Sequence, residues 1–256
     1  MVEALRQETG GPALGAVRRV ELSRPFAWLA RGWQDLRRAA AASLFYGLVL
    51  AFAGGWITWF VWGRPHLVTA LYSGFFLVAP FLLIGVYDLS RQLAAGERPD
   101  LGNSLRAWRA NADSIGLYGF LLAFVLISWE RLSAILFALL LTGDVASVET
   151  LVADVLRGAN LPLAVAWLGL GALLAALVYC ASVVSVPMLL DRRADVPSAV
   201  LASFAAVRAN PGPLALWAAI IVVLTAIGFA TWFAALVVIL PWLGHASWHA
   251  YKDLVE

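Results

Sequence analysis

The stretch AAAASLFYGLVLAFAGGWITWFVWG, Ala39 to Gly63, carries no charge between Arg38 and Arg64. A helix rises about 1.5 Å per residue and a bilayer's hydrocarbon is about 30 Å thick, so about twenty such residues cross it. A second uncharged run, Leu161 to Leu190, is longer still. Runs this long and apolar exceed what a water-soluble core needs, and they define an all-α polytopic helical membrane protein. Composition agrees: 62% of the 256 residues are hydrophobic and only 13% are charged, against roughly 25% in soluble domains, and the mean hydropathy is +0.83.

Apolar runs between charges predict six transmembrane helices, near Ala40–Trp62, His66–Tyr87, Asp113–Trp129, Leu161–Leu190, Leu214–Ala230 and Thr231–Tyr251. The last pair would span about 57 Å of helix, enough for two crossings with a tight turn near Gly228, or for one long tilted crossing plus a surface helix. Residues 1–20 read as a polar N-terminal tail and 21–256 as a single integral membrane domain. The tail has no apolar core of signal-peptide length, so insertion is expected from the first span. Fifteen of the eighteen Lys and Arg residues fall in the N-terminal segment, in the loops after the second and fourth passes, and at Lys252. The positive-inside rule places these in the cytoplasm together with both termini. Trp56, Trp59, Trp62, Trp129, Trp232, Trp242 and Trp248 fall near span ends, as interfacial tryptophans do.

The cytoplasmic loops resemble one another. Ser104-Leu105-Arg106-Ala107-Trp108-Arg109-Ala110-Asn111 matches Ser203-Phe204-Ala205-Ala206-Val207-Arg208-Ala209-Asn210, and Ala30-Arg31-Gly32-Trp33 is a fainter copy. With Pro80, Pro187 and Pro241 near the ends of the return passes, this predicts a threefold internal repeat with units of about 24–92, 101–193 and 197–256. Each unit would open with an interfacial amphipathic elbow helix. In the first, Phe26, Leu29, Trp33 and Leu36 share one face, and Arg24, Arg31, Asp35 and Arg38 the other. Arg24, Arg31, Arg38, Arg106, Arg109 and Arg208 are the expected lipid headgroup contacts. Asn111 and Asn210 are expected to cap the turn into the membrane.

Few residues suggest chemistry. Ser43, Gly47, Ala51 and Gly55 recur every fourth residue and predict close helix packing, within the chain or through self-association. The pair Glu130-Arg131 is enclosed by apolar sequence; it lies in the headgroups if the third span ends near Trp129, with a Leu-rich flap after it, or mid-bilayer if the helix continues to Leu141. His245 and His249 lie four apart on one helical face with Asp253 near, an expected interfacial polar cluster. A catalytic zinc site would need a third ligand and a base, so no metal and no cofactor is expected. The single cysteine, Cys180, excludes an internal disulfide and a cysteine-based zinc or iron-sulfur site. No GxSxG elbow, Walker loop or HExxH motif occurs, and the arginines form a topology signal and not a nucleic-acid patch.

Phe26-Ala27-Trp28-Leu29-Ala30-Arg31-Gly32-Trp33-Gln34-Asp35-Leu36, Ser43-Leu44-Phe45-Tyr46-Gly47 and the closing Pro241-Trp242-Leu243-Gly244-His245-Ala246-Ser247-Trp248-His249-Ala250-Tyr251 together resemble the bacterial integral membrane family called domain of unknown function 2189. The resemblance covers the chain from about Val20 and implies a multi-pass protein of the bacterial inner membrane, with no family activity or catalytic residues to carry over. The function these readings favour is non-enzymatic. The protein would act by association, as an accessory or assembly subunit of a membrane complex or as a lipid-facing scaffold, with membrane lipid, other membrane proteins or itself as partner and no nucleic acid. The alternatives are a small-solute or lipid transporter with a cavity near Glu130-Arg131, and a membrane enzyme or metal site at His245 and His249.

Overall fold

The structure is a computed structural model that describes residues 17–61, 82–142, 154 and 157–255. Its elements are α1 (Arg24–Arg38), α2 (Ala40–Val61), α3 (82–94), α4 (Leu101–Ser104), a 3₁₀ turn at Ala107–Asn111, α5 (Ala112–Leu140), α6 (Leu161–Ser182), α7 (Ser185–Asp191), α8 (Val196–Ala209), α9 (Pro211–Ala230) and α10 (Leu236–Leu254). Among the described residues there is no strand, only an isolated antiparallel bridge from Val17 to Val255. Four stretches are long and apolar enough to cross a membrane: Ala40–Phe60, Ala107–Leu140, Leu161–Asp191 and Pro211–Ala230. Most of the expected second pass, with Pro80, lies outside the described residues. The expected sixth pass, now α10, is not among the four, because Gly244, His245, Ser247, His249, Lys252 and Asp253 make its C-terminal half polar.

The structure fixes two boundaries. The third pass takes the longer of its two expected courses: it does not stop near Trp129, since α5 runs on through Glu130 and Arg131 to Leu140, so the Leu-rich segment is helix and not a flap. Glu and Arg are both good helix formers and give the backbone no reason to break. The turn after the fifth pass falls at Thr231–Ala235 and not at Gly228, which remains helical. There Trp232 and Phe233 adopt positive φ, 51° and 67°, and the Thr231 hydroxyl accepts the Ala235 N–H and donates to the Gly228 carbonyl.

The helical contacts divide into two compact units, residues 1–119 with 180–256, and residues 120–179. In the larger unit α10 packs against α1, α2, α7 and α9. Small residues set these approaches. A Cβ on Gly32 of α1 would meet the Ala246 backbone at 2.6 Å, and one on Gly47 of α2 would come within 1.9 Å of the Val237 carbonyl oxygen. In a membrane lipid and side chain are equally apolar, so close backbone approach and polar contacts hold helices together. Of the small-residue stripe on α2, Ser43, Gly47 and Ala51 are buried, whereas nothing lies within 4 Å of a Cβ on Gly55. The opposite side of α2 exposes Leu48, Phe52 and Trp59.

Side chains close the gaps between elements. Asn111 donates to the carbonyls of Leu189 and Ala194, and Asn210 accepts the Val20 N–H while donating to the Arg18 carbonyl. Asn210 makes no side-chain cap on α9, contrary to expectation, because its amide is committed to the segment at 18–20. Between α6 and α7, Pro187 lacks an N–H and the helix breaks. Ser203 of α8 accepts the Val184 N–H there and donates to the Cys180 carbonyl.

The smaller unit is built from the Phe120–Leu140 part of α5 and the Leu161–Tyr179 part of α6. Trp129 and Trp167 lie 5.3 Å apart, Trp167 Nε1 donates to Ser133 Oγ at 3.0 Å, and the Asn160 side chain holds the Thr142 N–H. Phe124, Leu139, Val165 and Leu173 are each more than 60% exposed, an outward apolar surface suited to lipid.

Gly47→Ala should separate α2 from α10 and lower the thermal midpoint in detergent, by about 2 kcal/mol or more of stability. Gly55→Ala should leave the midpoint unchanged or raise it, since Ala favours helix and meets no neighbour. Thermal unfolding of both variants followed by circular dichroism reads the difference.

Candidate functional site

Of the two imidazoles on the polar half of α10, His245 is completely buried. The one-turn spacing of His245 and His249 puts both on the side that meets α1. From α1 comes Asp35, 6% exposed; α3 supplies Ser90, 1% exposed; and α2 supplies Ser43, 0% exposed. The five side chains form one unbroken chain of hydrogen bonds. Ser43 Oγ lies 2.8 Å from His245 Nε2, His245 Nδ1 lies 2.7 Å from Ser90 Oγ, Ser90 donates to Asp35 Oδ2 at 2.8 Å, and His249 Nε2 reaches the same oxygen at 2.8 Å.

Proton counting fixes the roles. The one hydroxyl proton of Ser90 goes to Asp35, so Ser90 must accept from His245 Nδ1–H. Nε2 of a neutral His245 then carries a lone pair and accepts from the Ser43 hydroxyl. His249 donates Nε2–H to Asp35, an ionised carboxylate being an acceptor only. Electrostatics agree. Burial pushes the His245 imidazole down to about 4; the nearby Asp35 carboxylate opposes this and His249 adds to it. For Asp35, burial would raise the carboxyl, but hydrogen bonds from His249 and Ser90 outweigh it and hold the group below its ordinary value. The result is a neutral imidazole and a charged carboxylate, sharing one serine.

Asp253 does not join this chain. One turn further along α10, its Oδ2 accepts Arg24 Nε at 2.6 Å and Trp28 Nε1 at 2.8 Å, and Arg31 binds both its oxygens. These donors keep it ionised despite burial, which alone would raise it. A third cluster ties α10 to α7: Tyr251 donates to Asp191 at 2.8 Å, Lys252 lies 2.9 Å from the same oxygen, and Arg192 donates to the Tyr251 hydroxyl.

The other residues singled out from sequence lie apart from this site. Arg38, Arg106, Arg109 and Arg208 are exposed, Arg109 lying 5.6 Å from the Trp108 ring centre. Arg24 and Arg31 are engaged by Asp253. In α5 Glu130 is half-buried and Arg131 exposed. Asp35 corrects the reading of α1: it is buried and not on the arginine face. Trp28, Gly32, Asp35 and Leu36 form the helical stripe that meets α10, while Phe26 and Trp33 face outward. The spacing of Asp35 from Gly32 and Trp28 was the available signal. Ser90 had none: between Asp88 and Arg91 it reads as one more polar residue at the end of a pass, whether or not it meets a histidine.

Chemically, the hydroxyls of Ser43 and Ser90 and Oδ2 of Asp35 already have protein partners, and both ring nitrogens of His245 are used. Among the described residues no group of three His, Cys, Asp or Glu side chains could hold a metal.

Residues 67–191 match the model of a family described as "Predicted integral membrane protein (DUF2189)". Over those residues, just under half of the chain, it is similar to that family. The matched stretch contains Ser90 but not Asp35, Ser43, His245 or His249, so four of the five linked side chains come from sequence flanking it. The entry and closing stretches that carried the resemblance flank it too. No curated protein and no solved structure matches the chain.

Acid should weaken the fold through His245. Its folded value lies below the unfolded one, so between pH 6.5 and about 4 the unfolded chain takes a proton the folded chain refuses. Stability present at neutral pH is lost as pH falls through that window, by about 3 kcal/mol at about 1.4 kcal/mol per pH unit. Asp35 adds its own loss only at lower pH. Thermal midpoints in detergent should fall steeply from pH 7 to 4.5 in the parent protein and much less in His245→Gln.

Proposed function

We propose that the protein is a non-enzymatic integral membrane protein of the bacterial inner membrane, with six passes in three repeat units and both termini cytoplasmic, that works by association. It would serve as an accessory or assembly subunit of a membrane complex or as a lipid-facing scaffold. The observation that carries this reading is the closed state of the polar site: Ser43, Ser90 and His245 are buried, fully paired and out of reach of a substrate. Such a network locks helices in place. The outward aromatic side chains of α1 and of the Phe120–Tyr179 unit supply surfaces that lipid or a neighbouring membrane protein would cover.

The second reading, transport past Glu130-Arg131, is favoured by one observation: α5 carries the pair within an unbroken helix long enough to cross.

Native mass spectrometry of the full chain, released from its own membrane in nanodiscs, tests the leading reading. A defined assembly with a second protein, with further copies or with retained lipid is expected. A bare, lipid-free monomer from several gentle extractions overturns it.

A further inference from the structure

From the open pocket beside the first turn of α1, we infer a specific site for a phosphoethanolamine headgroup, that is, for a membrane lipid bearing a phosphodiester and a primary ammonium. This rests on the association reading above and names the lipid that one surface takes.

The pocket, about 300 Å³, is lined by Arg18, Arg19, Val20, Glu21, Arg24 and Asp253. That volume holds about ten waters, enough for a small zwitterionic head. Its wall is rigid. The segment at 17–20 bridges Val17 to Val255, donates the Arg18 N–H to the Leu254 carbonyl at 2.9 Å, and is gripped on both sides by Asn210. Asn210 immediately precedes α9, a helix fit to cross the membrane, so the wall is stitched to the residue where a span begins. The pocket therefore lies at headgroup depth. Leu22 and Phe26, each about 60% exposed, flank it and would meet acyl chains.

The charges select the head. Asp253 binds Arg24 only through Nε, which orients that guanidinium and leaves its two terminal nitrogens as donors. Arg19 is exposed and makes no ion pair among the described residues. These donors suit a phosphodiester, for which planar guanidinium groups are well matched, and the N-terminal end of α1 adds favourable potential. Asp253 is saturated by three donors, so it repels little and binds nothing more. Glu21 is different: its carboxylate is exposed, lies in the field of Arg24, and among the described residues hydrogen-bonds only Ser23 Oγ at a long 3.5 Å. An acid lining an arginine pocket lowers affinity for a purely anionic head and raises it for one that also carries an ammonium.

The test is native mass spectrometry of the full-length protein in mild detergent, titrated with phosphatidylethanolamine, phosphatidylglycerol and soluble glycerophosphoethanolamine. One phosphatidylethanolamine should be retained about tenfold more tightly than phosphatidylglycerol. Arg19→Gln, at an exposed position that leaves the melting point unchanged, should weaken both lipids, whereas Glu21→Gln should abolish the preference by weakening the ethanolamine lipid alone. The soluble head should compete only weakly; tight binding of it without the lipid would reassign the site to a free phosphoester and overturn the proposal. Equal retention of the two lipids, or a preference untouched by Glu21→Gln, also overturns it. A protein that lacks the preference yet remains in a defined protein assembly refutes the pocket and leaves association standing, while a bare monomer removes both.

Discussion

The larger unit depends on a neutral imidazole that is completely removed from solvent. His245 has two ring nitrogens, and leaving either without a partner in a low-dielectric interior would cost on the order of 1–3 kcal/mol. Ser43 on α2 and Ser90 on α3 satisfy them, and Ser90 in turn needs Asp35 on α1. One ring thus fixes the positions of four helices. Apolar contact could not achieve this, because against lipid one leucine face is worth as much as another.

Geometry and polarity act together at this junction. Gly32 lets α1 approach the Ala246 backbone, and Gly47 does the same for α2 at Val237. Only with the backbones so close can side chains as short as serine and aspartate reach the imidazole. Away from this junction the opposite logic holds: α2 presents Phe52 and Trp59 to the surroundings, and the smaller unit by itself presents Phe124. Where the helix breaks before α7, Ser203 of α8 bridges the Val184 N–H and the Cys180 carbonyl, a pair that an unbroken helix would have joined directly.

Much of this was legible in the chain. Uncharged runs locate α2, α6 and α9 closely, because length and apolarity are properties of a segment alone. The end of α5 was legible only as one of two alternatives, because a charged pair reads as a boundary even when the helix passes through it. Asp35 was misplaced for a related reason: a carboxylate on an amphipathic helix falls on the polar face by default, and only its partner on α10, more than two hundred residues away, makes burial favourable. Asn210 looks like a cap because it stands before a helix, yet its amide serves the distant segment at 18–20. Local rules name elements; they do not reveal bonds that join the two ends of a chain.

Those long-range bonds bear on biogenesis. α1 is made before α10, so Asp35 and the Trp28 stripe at first lack their partner, and closure at Val17 waits for Val255, more than two hundred residues later. Until then α1 has reason to wait flat at the water boundary, where a carboxylate stays hydrated and Phe26 and Trp33 find hydrocarbon. Arrival of α10 would then draw α1 into place, making that later helix the clasp of the larger unit.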